Sequence, residues 1–261
     1  MEIVDKKILN LTVEQGSEPQ TVLSPVAQGL MYWFDAIDNA GLGTHSNSIT
    51  TWLNKGGQLT SETSRNAVKM GSPVWGSNYL ELKKAGDGYA TSDISPLFDL
   101  NAVTMEAVVT IPEIPSEQHS VVFGTIQAGG ISIRYSGGGK FLLSVYKKTN
   151  GTMTYHDISS SVMSEYIGKK CYICARYGTD GGILYIKGDN FEETIKKDYV
   201  GALVSNSPSA CMVIGYNGDI NGIYEEYQYV GKIHSARCYG YVLTDEEMVQ
   251  NLAYERDRYG F

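Results

Sequence analysis

Short segments of alternating side chains, each closed by Gly, Asn or Asp, recur along this chain and restrict its fold more than any other feature. Between Asn101 and Ile111, the residues Val103, Met105, Ala107, Val109 and Ile111 fall on one face of an extended chain, with Thr104, Glu106 and Thr110 on the other. Leu30-Met31-Tyr32-Trp33-Phe34 is apolar on both faces, as a strand inside a sandwich should be. Further strands are expected at 120–127, 130–135, 140–147, 153–158, 171–177, 183–187, 210–214 and 226–239. Ser136-Gly137-Gly138-Gly139 and Thr179-Asp180-Gly181-Gly182 supply turns between them. Parallel strands would need helical crossovers, and no helical period separates these segments. The expected class is therefore an all-β antiparallel sandwich.

The one helical signal lies at the C-terminal end. Thr244 can cap the amide of Glu247 and Glu247 can reach back, forming a capping box, while Leu243 and Met248 occupy the hydrophobic-staple positions. Met248, Val249, Leu252 and Ala253 make the expected apolar stripe, and Gly260 is placed to end the helix.

A chain of 261 residues can enclose one large core, and 29–261 is expected to form one domain. Residues 1–28 differ. Ile8, Leu9, Leu11 and Val13 could form one strand, and a polar loop follows. Such an arm has too little apolar surface to fold alone, so it either leads into the domain or docks on a partner. With 29 acidic and 21 basic residues the formal charge is -8, which leaves no basic face for nucleic acid. The longest apolar runs, such as 200–204, are too short to enter a bilayer, and 1–7 shows no signal-peptide pattern.

Three ordered motifs resemble the concanavalin A-like lectin/glucanase superfamily, in particular the laminin-G-like jelly rolls of bacterial and phage surface proteins. The first is Tyr32-Trp33-Phe34-Asp35-Ala36-Ile37-Asp38-Asn39-Ala40-Gly41, followed by His45 and Thr51-Trp52-Leu53. The second runs from Gly168-Lys169 to Leu184-Tyr185-Ile186-Lys187-Gly188. The third is Gly231-Lys232-Ile233-His234-Ser235-Ala236-Arg237-Cys238-Tyr239, leading into Leu243-Thr244-Asp245-Glu246-Glu247 and Arg258-Tyr259-Gly260-Phe261. The resemblance implies a concanavalin A-like jelly roll with a short C-terminal helix. It does not fix an activity, because this fold serves lectins, glucanases, adhesion modules and virion proteins.

The glucanases of this superfamily carry an E-x-D-x-x-E strand, which places two carboxylates on one face. That motif is missing here. Glu192-Glu193 and Glu225-Glu226 are adjacent pairs that face opposite sides of a strand, and Asp245-Glu246-Glu247 suits a helix first turn. His45, His119, His156 and His234 accompany no G-x-S-x-G sequence, and the Ser136–Gly139 run has no G-K-[ST] after it. Cys171 and Cys174 form a C-x-x-C on a strand, where residues three apart point to opposite faces and cannot share one metal ion. With Cys211 and Cys238 they read as inert thiols. No catalytic residue is assigned.

Two loops are binding candidates. Asp35, Asp38 and Asn39 cluster oxygen donors at a strand end; they read either as a turn shaped by side-chain bonds or as ligands for Ca²⁺, the one cofactor the resemblance implies. Tyr216, Asn217, Asp219, Asn221 and Tyr224 read either as an ordinary hairpin loop or as a sugar site, with amide and carboxylate groups for hydroxyls and rings for stacking. Trp75 is a further stacking candidate or a core residue.

The expected function is a non-catalytic module for binding or attachment, in a phage virion (tail, head fibre or baseplate) or a cell-surface appendage. It would recognise a cell-surface glycan and join other virion or surface-complex subunits through 1–28, with a homo-oligomer as a further option. Two alternatives remain: a purely structural virion or decoration protein, and a secreted glucanase of the same fold.

Overall fold

The structure is a computed structural model and describes residues 23–56, 65–92, 100–115, 119–125, 129–199, 201–204, 211–219, 222–223 and 228–261. Two antiparallel sheets face each other. The first runs in the order β14 (Glu192–Lys197), β13 (Gly181–Gly188), β12 (Lys170–Gly178), β7 (Val103–Thr110), β19 (Gly231–Tyr239), β5 (Leu80–Leu82) and β4 (Val74–Trp75); β1 (Leu30–Asp35) also pairs with β19. The second runs β11 (Thr152–Ser159), β10 (Phe141–Thr149), β9 (Ile131–Ser136), β8 (His119–Thr125), β16 (Met212–Ile214), β6 (Gly88–Thr91), β3 (Ala67–Met70) and β2 (Thr51–Trp52), with β15 (Ala202–Leu203) added to β10. A short ribbon joins β17 (Gly218–Asp219) to β18 (Gly222–Ile223).

Alternation decides what lies between the sheets. Val103, Met105, Ala107 and Val109 of β7, followed by Ile111, enter the main core as expected, opposite Ile131, Ile133, Phe141, Leu143 and Val145. Each Val, Ile, Leu, Met or Phe among them contributes about 1.5–3 kcal/mol when fully buried, and Ala107 less. Trp75 belongs to this core: it is 7% exposed, and its ring centroid lies 4.7 Å from that of Trp52. Its Nε1 donates to the Tyr89 hydroxyl at 3.0 Å. The core reading of Trp75 thus describes its position, and its ring is not presented to a ligand. Cys171 faces this core while Cys174 faces the outer side of the sheet, the opposed geometry expected of a C-x-x-C on a strand. All four thiols are free and buried.

Asp245–Tyr259 forms helix α1, with both halves of the capping box in place and Gly260 closing it in the left-handed region. The helix covers the outer face of the first sheet, where Met248, Leu252 and Tyr259 meet Val108, Tyr172, Cys174 and Tyr185. The expected stripe needs correction. Val249 is 48% exposed, and the buried face is completed instead by Asn251 and Glu255. Leu243 and Met248 also part company: Leu243 packs with Val26, Leu30 and Tyr239, away from the cluster that holds Met248.

The polar residues under α1 are neutralised in place. Arg237 reaches Glu106 at 2.9 Å and Glu255 at 2.8 Å, and the Tyr172 hydroxyl donates to Glu106. Asn251 donates to Glu106 and Tyr239 and accepts from the Val26 amide at 2.8 Å. Burial pushes the Glu255 carboxyl up despite the pull of Arg237 and Arg258. A buried charge left alone would be costly, so the arginine and both glutamates stand or fall together.

Candidate functional site

A cleft of about 860 Å³ opens where β7 leaves the first sheet and β19 enters it. Four separate stretches form it: Glu81, Leu82, Lys83 and Ala85 at the end of β5, Thr110–Pro115 at the end of β7, Ile167 and Gly168 before β12, and Gln228 with Val230–Lys232 at the start of β19. Register aligns part of its rim, because Lys232 pairs with Glu81 on one side and Thr110 on the other. Ile111, Ile114, Ile167 and Val230 supply apolar surface, with Ile114 42% and Val230 47% exposed. Apolar walls with a few charged rim groups, at this volume, suit a small ligand.

The polar rim is held in defined roles. Lys232 Nζ lies 4.5 Å from the centre of the Tyr79 ring, and Lys83 lies 3.5 Å from Glu81. A β-bulge makes His234 the extra residue of β19 and turns its ring towards Thr110. His234 Nδ1 lies 2.8 Å from the Asn78 carbonyl, which can only accept, so Nδ1 carries the proton. Nε2 is then a bare acceptor, and the Thr110 hydroxyl donates to it at 2.9 Å. Thr110, a cleft residue, therefore keeps its oxygen lone pairs for a ligand donor.

Hydroxyl, imidazole and carbonyl in a row have the outline of a nucleophile with its base. The electrostatics oppose that use. Burial, with Lys170 and Lys232 nearby, pushes His234 down to about 4, too weak a base to hold a proton taken from Thr110 at neutral pH. The buried carboxylates Asp35, Glu106 and Glu255 are bound by arginines, away from the residues that line the cleft. Glu192 and Glu193 point to opposite sides, Glu192 to Lys187 and Tyr185 and Glu193 to Ser161. Glu225 and Glu226 lie outside the described residues.

The loop expected to bind sugar adjoins this cleft through Gln228. Its Oε1 accepts from the Asn217 amide at 3.1 Å, and its Nε2 donates to the Asn217 carbonyl at 2.9 Å. Tyr216 and Asn217 are themselves buried; Tyr216 packs with Ala90, Val121, Cys211 and Val213, so its ring face is occupied by protein. The side chain of Asp219 and the whole of Asn221 and Tyr224 lie outside the described residues.

The candidate calcium residues do come together, but as the turn reading has it. Asp35 Oδ2 meets Arg258 at 2.6 Å and Lys55 at 3.2 Å, while Oδ1 accepts from the Ile37 amide at 3.0 Å and the Tyr259 hydroxyl at 2.9 Å. Burial pushes the Asp35 carboxyl up, and Arg258 and Lys55 outweigh it, leaving the group below its ordinary value. Asp38 Oδ1 accepts from the Gly43 and Thr44 amides and its Oδ2 meets Lys55 at 2.5 Å. Asn39 exchanges two bonds with the Ser46 backbone. Oxygens aimed at cations and amides of the protein do not converge on a Ca²⁺ ion, and the set does not fit that metal. No group of three or more His, Cys, Asp or Glu among the described residues is arranged for one.

Two face-to-face antiparallel sheets, a helix closing one outer face and a cleft at the strand ends define a jelly-roll β-sandwich of the concanavalin A-like kind. The chain belongs to the Laminin_G_3 family of the concanavalin A-like lectin/glucanases superfamily, whose profile matches residues 84–249. No curated protein matches the chain. Among solved structures, the Trypanosoma rangeli sialidase in complex with sialic acid matches with a TM-score of 0.56 at 15% identity, over 89% of this chain and 34% of the sialidase. The botulinum neurotoxin serotype D binding domain matches with a TM-score of 0.57 at 12% identity, over 91% of this chain and 53% of that structure. The chain thus spans about a third of the one and half of the other, and at these identities the likeness is one of fold.

Proposed function

We propose that the chain is a non-catalytic recognition module that binds carbohydrate, working in a phage virion or a cell-surface appendage. The observation that carries this reading is the strand-end cleft, whose apolar walls, rim of Lys83, Lys232, Glu81 and Glu113, and Thr110 hydroxyl suit a hydroxylated ligand. The weak base at His234 weighs against a Thr110 nucleophile, the buried carboxylates are bound by arginines, and of the two carboxylates that line the cleft, Glu81 and Glu113, Glu81 is paired with Lys83. A solved relative bound to sialic acid and another described as a binding domain agree with this reading at the level of fold.

A glycan array tests it, using wild type and a Lys232→Ala/Ile114→Asp variant. Selective binding that the variant loses supports the cleft. Silence across the array moves the reading to a purely structural or decoration subunit. That second reading has its own support: the last residues of the arm are fixed to the fold by Gln250, which donates to the Ser24 carbonyl, and by Asn251 at Val26. An arm docking through 1–28 would be held at a defined point.

A further inference from the structure

The outer face of the second sheet carries a guanidinium that no carboxylate among the described residues neutralises. Arg134 of β9 is 3% exposed, yet among the described residues it forms no ion pair. Arg176, Arg237 and Arg258 are each matched to an acid within 3 Å. Arg134 Nε donates to Ser132 Oγ at 3.0 Å and Nη1 to the Tyr155 hydroxyl at 2.7 Å. Tyr155 donates onward to Ser144 at 3.1 Å, and Ser144 to Asp157 Oδ1 at 2.6 Å. The nearest negative charge on this chain of bonds is thus two hydroxyls away. Among the described residues Nη2 has no acceptor, and unlike Nη1 of Arg237 and of Arg258 it is not sealed from solvent.

The same face offers flat surface beside the charge. Tyr155 is 38% exposed, and Tyr146, its partner across β10 and β11, is half-buried with its ring centre 6.5 Å away. The guanidinium carbon lies 5.2 Å from the centre of the Tyr155 ring. Two tyrosine rings can cover the C–H face of a pyranose, the open Nη2 of the guanidinium can donate to a carboxylate, and the second oxygen of Asp157 can accept from a ring hydroxyl.

We propose that Arg134, Tyr155, Tyr146 and Asp157 form a site for a pyranose that carries a carboxylate, separate from the strand-end cleft. A buried guanidinium without a counter-ion favours an anion over water, and the tyrosine rings favour a sugar over a bare ion.

Titration of the full chain with methyl β-glucuronide, methyl β-glucoside and acetate, followed by NMR and calorimetry, tests this. The two glycosides differ only in a carboxylate where the other has a hydroxymethyl group. Saturable binding of the glucuronide is expected, with the glucoside and acetate each weaker by about tenfold or more. Arg134→Met should remove glucuronide binding, while Tyr155→Phe, which keeps the ring, should weaken it several-fold. If Arg134→Met does not fold, movement of the Arg134 Nε signal of wild type on adding glucuronide replaces that readout. Equal affinity for the two glycosides, acetate binding as tightly as the glucuronide, no saturation by ~10 mM, or an unmoved Arg134 signal would each overturn the proposal. Loss of array binding in the cleft variant alone, with glucuronide binding retained, separates this site from the cleft.

Discussion

Arg237 Nη2 stands 2.8 Å from Glu255 Oε1 beneath α1, with both side chains no more than 1% exposed. Arg237 also holds Glu106, so removing the arginine strands two acids, whereas Glu255→Gln leaves Arg237 with one acid and a neutral acceptor. We expect Arg237→Met to lose about 3–5 kcal/mol of stability and Glu255→Gln clearly less, about 1–2 kcal/mol. Urea unfolding of the two variants measures this, and equal losses would show that Glu106 gains nothing from the arginine.

His234 makes stability depend on pH. Its folded value of about 4 lies below the ordinary 6.5, so between these values the unfolded chain binds the extra proton. The contribution is complete above pH 6.5 and is lost as pH falls towards 4; its ceiling is about 3 kcal/mol. A His234→Gln variant should show a flatter stability curve over that interval. A slope unchanged by the substitution would place the proton uptake elsewhere.

Calcium should leave the fold unaffected, because Asp35, Asp38 and Asn39 are already bonded to Lys55, Arg258 and backbone groups. The melting temperature in ~2 mM Ca²⁺ and in excess chelator is expected to agree within about 1 °C. A calcium-dependent rise, lost in Asp38→Asn, would mean that Lys55 gives way to the ion.

The capping box is a modest contributor. Thr244→Ala removes the acceptor for the Glu247 amide, 3.2 Å away, and should cost about 1 kcal/mol. Thr244→Ser should restore most of it, as read from thermal unfolding. A loss of several kcal/mol instead would imply that the cap governs docking of the whole helix.

The strands legible in the sequence are those with room for a full period and one face in the core. β7 shows it best, and β9, β10, β12 and β13 follow. β2 to β6 span two to four residues each, too few for an alternation to appear, although Trp52, Trp75 and Tyr89 in them build the aromatic centre. β14 escaped because Glu192–Lys197 is a charged edge strand with little apolar surface. On α1, Asn251 and Glu255 took the buried positions because Glu106 and Arg237 lie opposite, and the Asn251–Glu106 pairing spans 145 residues. The cleft left no local mark, since strand ends distant in sequence meet only after the sheets assemble. Arg134 was visible only as one polar residue in an alternating strand; its lack of an acid partner is a property of the folded face.

The ties between the leading segment and α1 have a mechanical side. Tension applied at residue 23 would fall first on the Gln250–Ser24, Asn251–Val26 and Tyr239–Val26 hydrogen bonds, and only afterwards on the β1–β19 ladder. The first two end on the helix, which is itself fastened through Arg237 and Arg258, so a pull on one end of the fold is shared with the other before any strand peels.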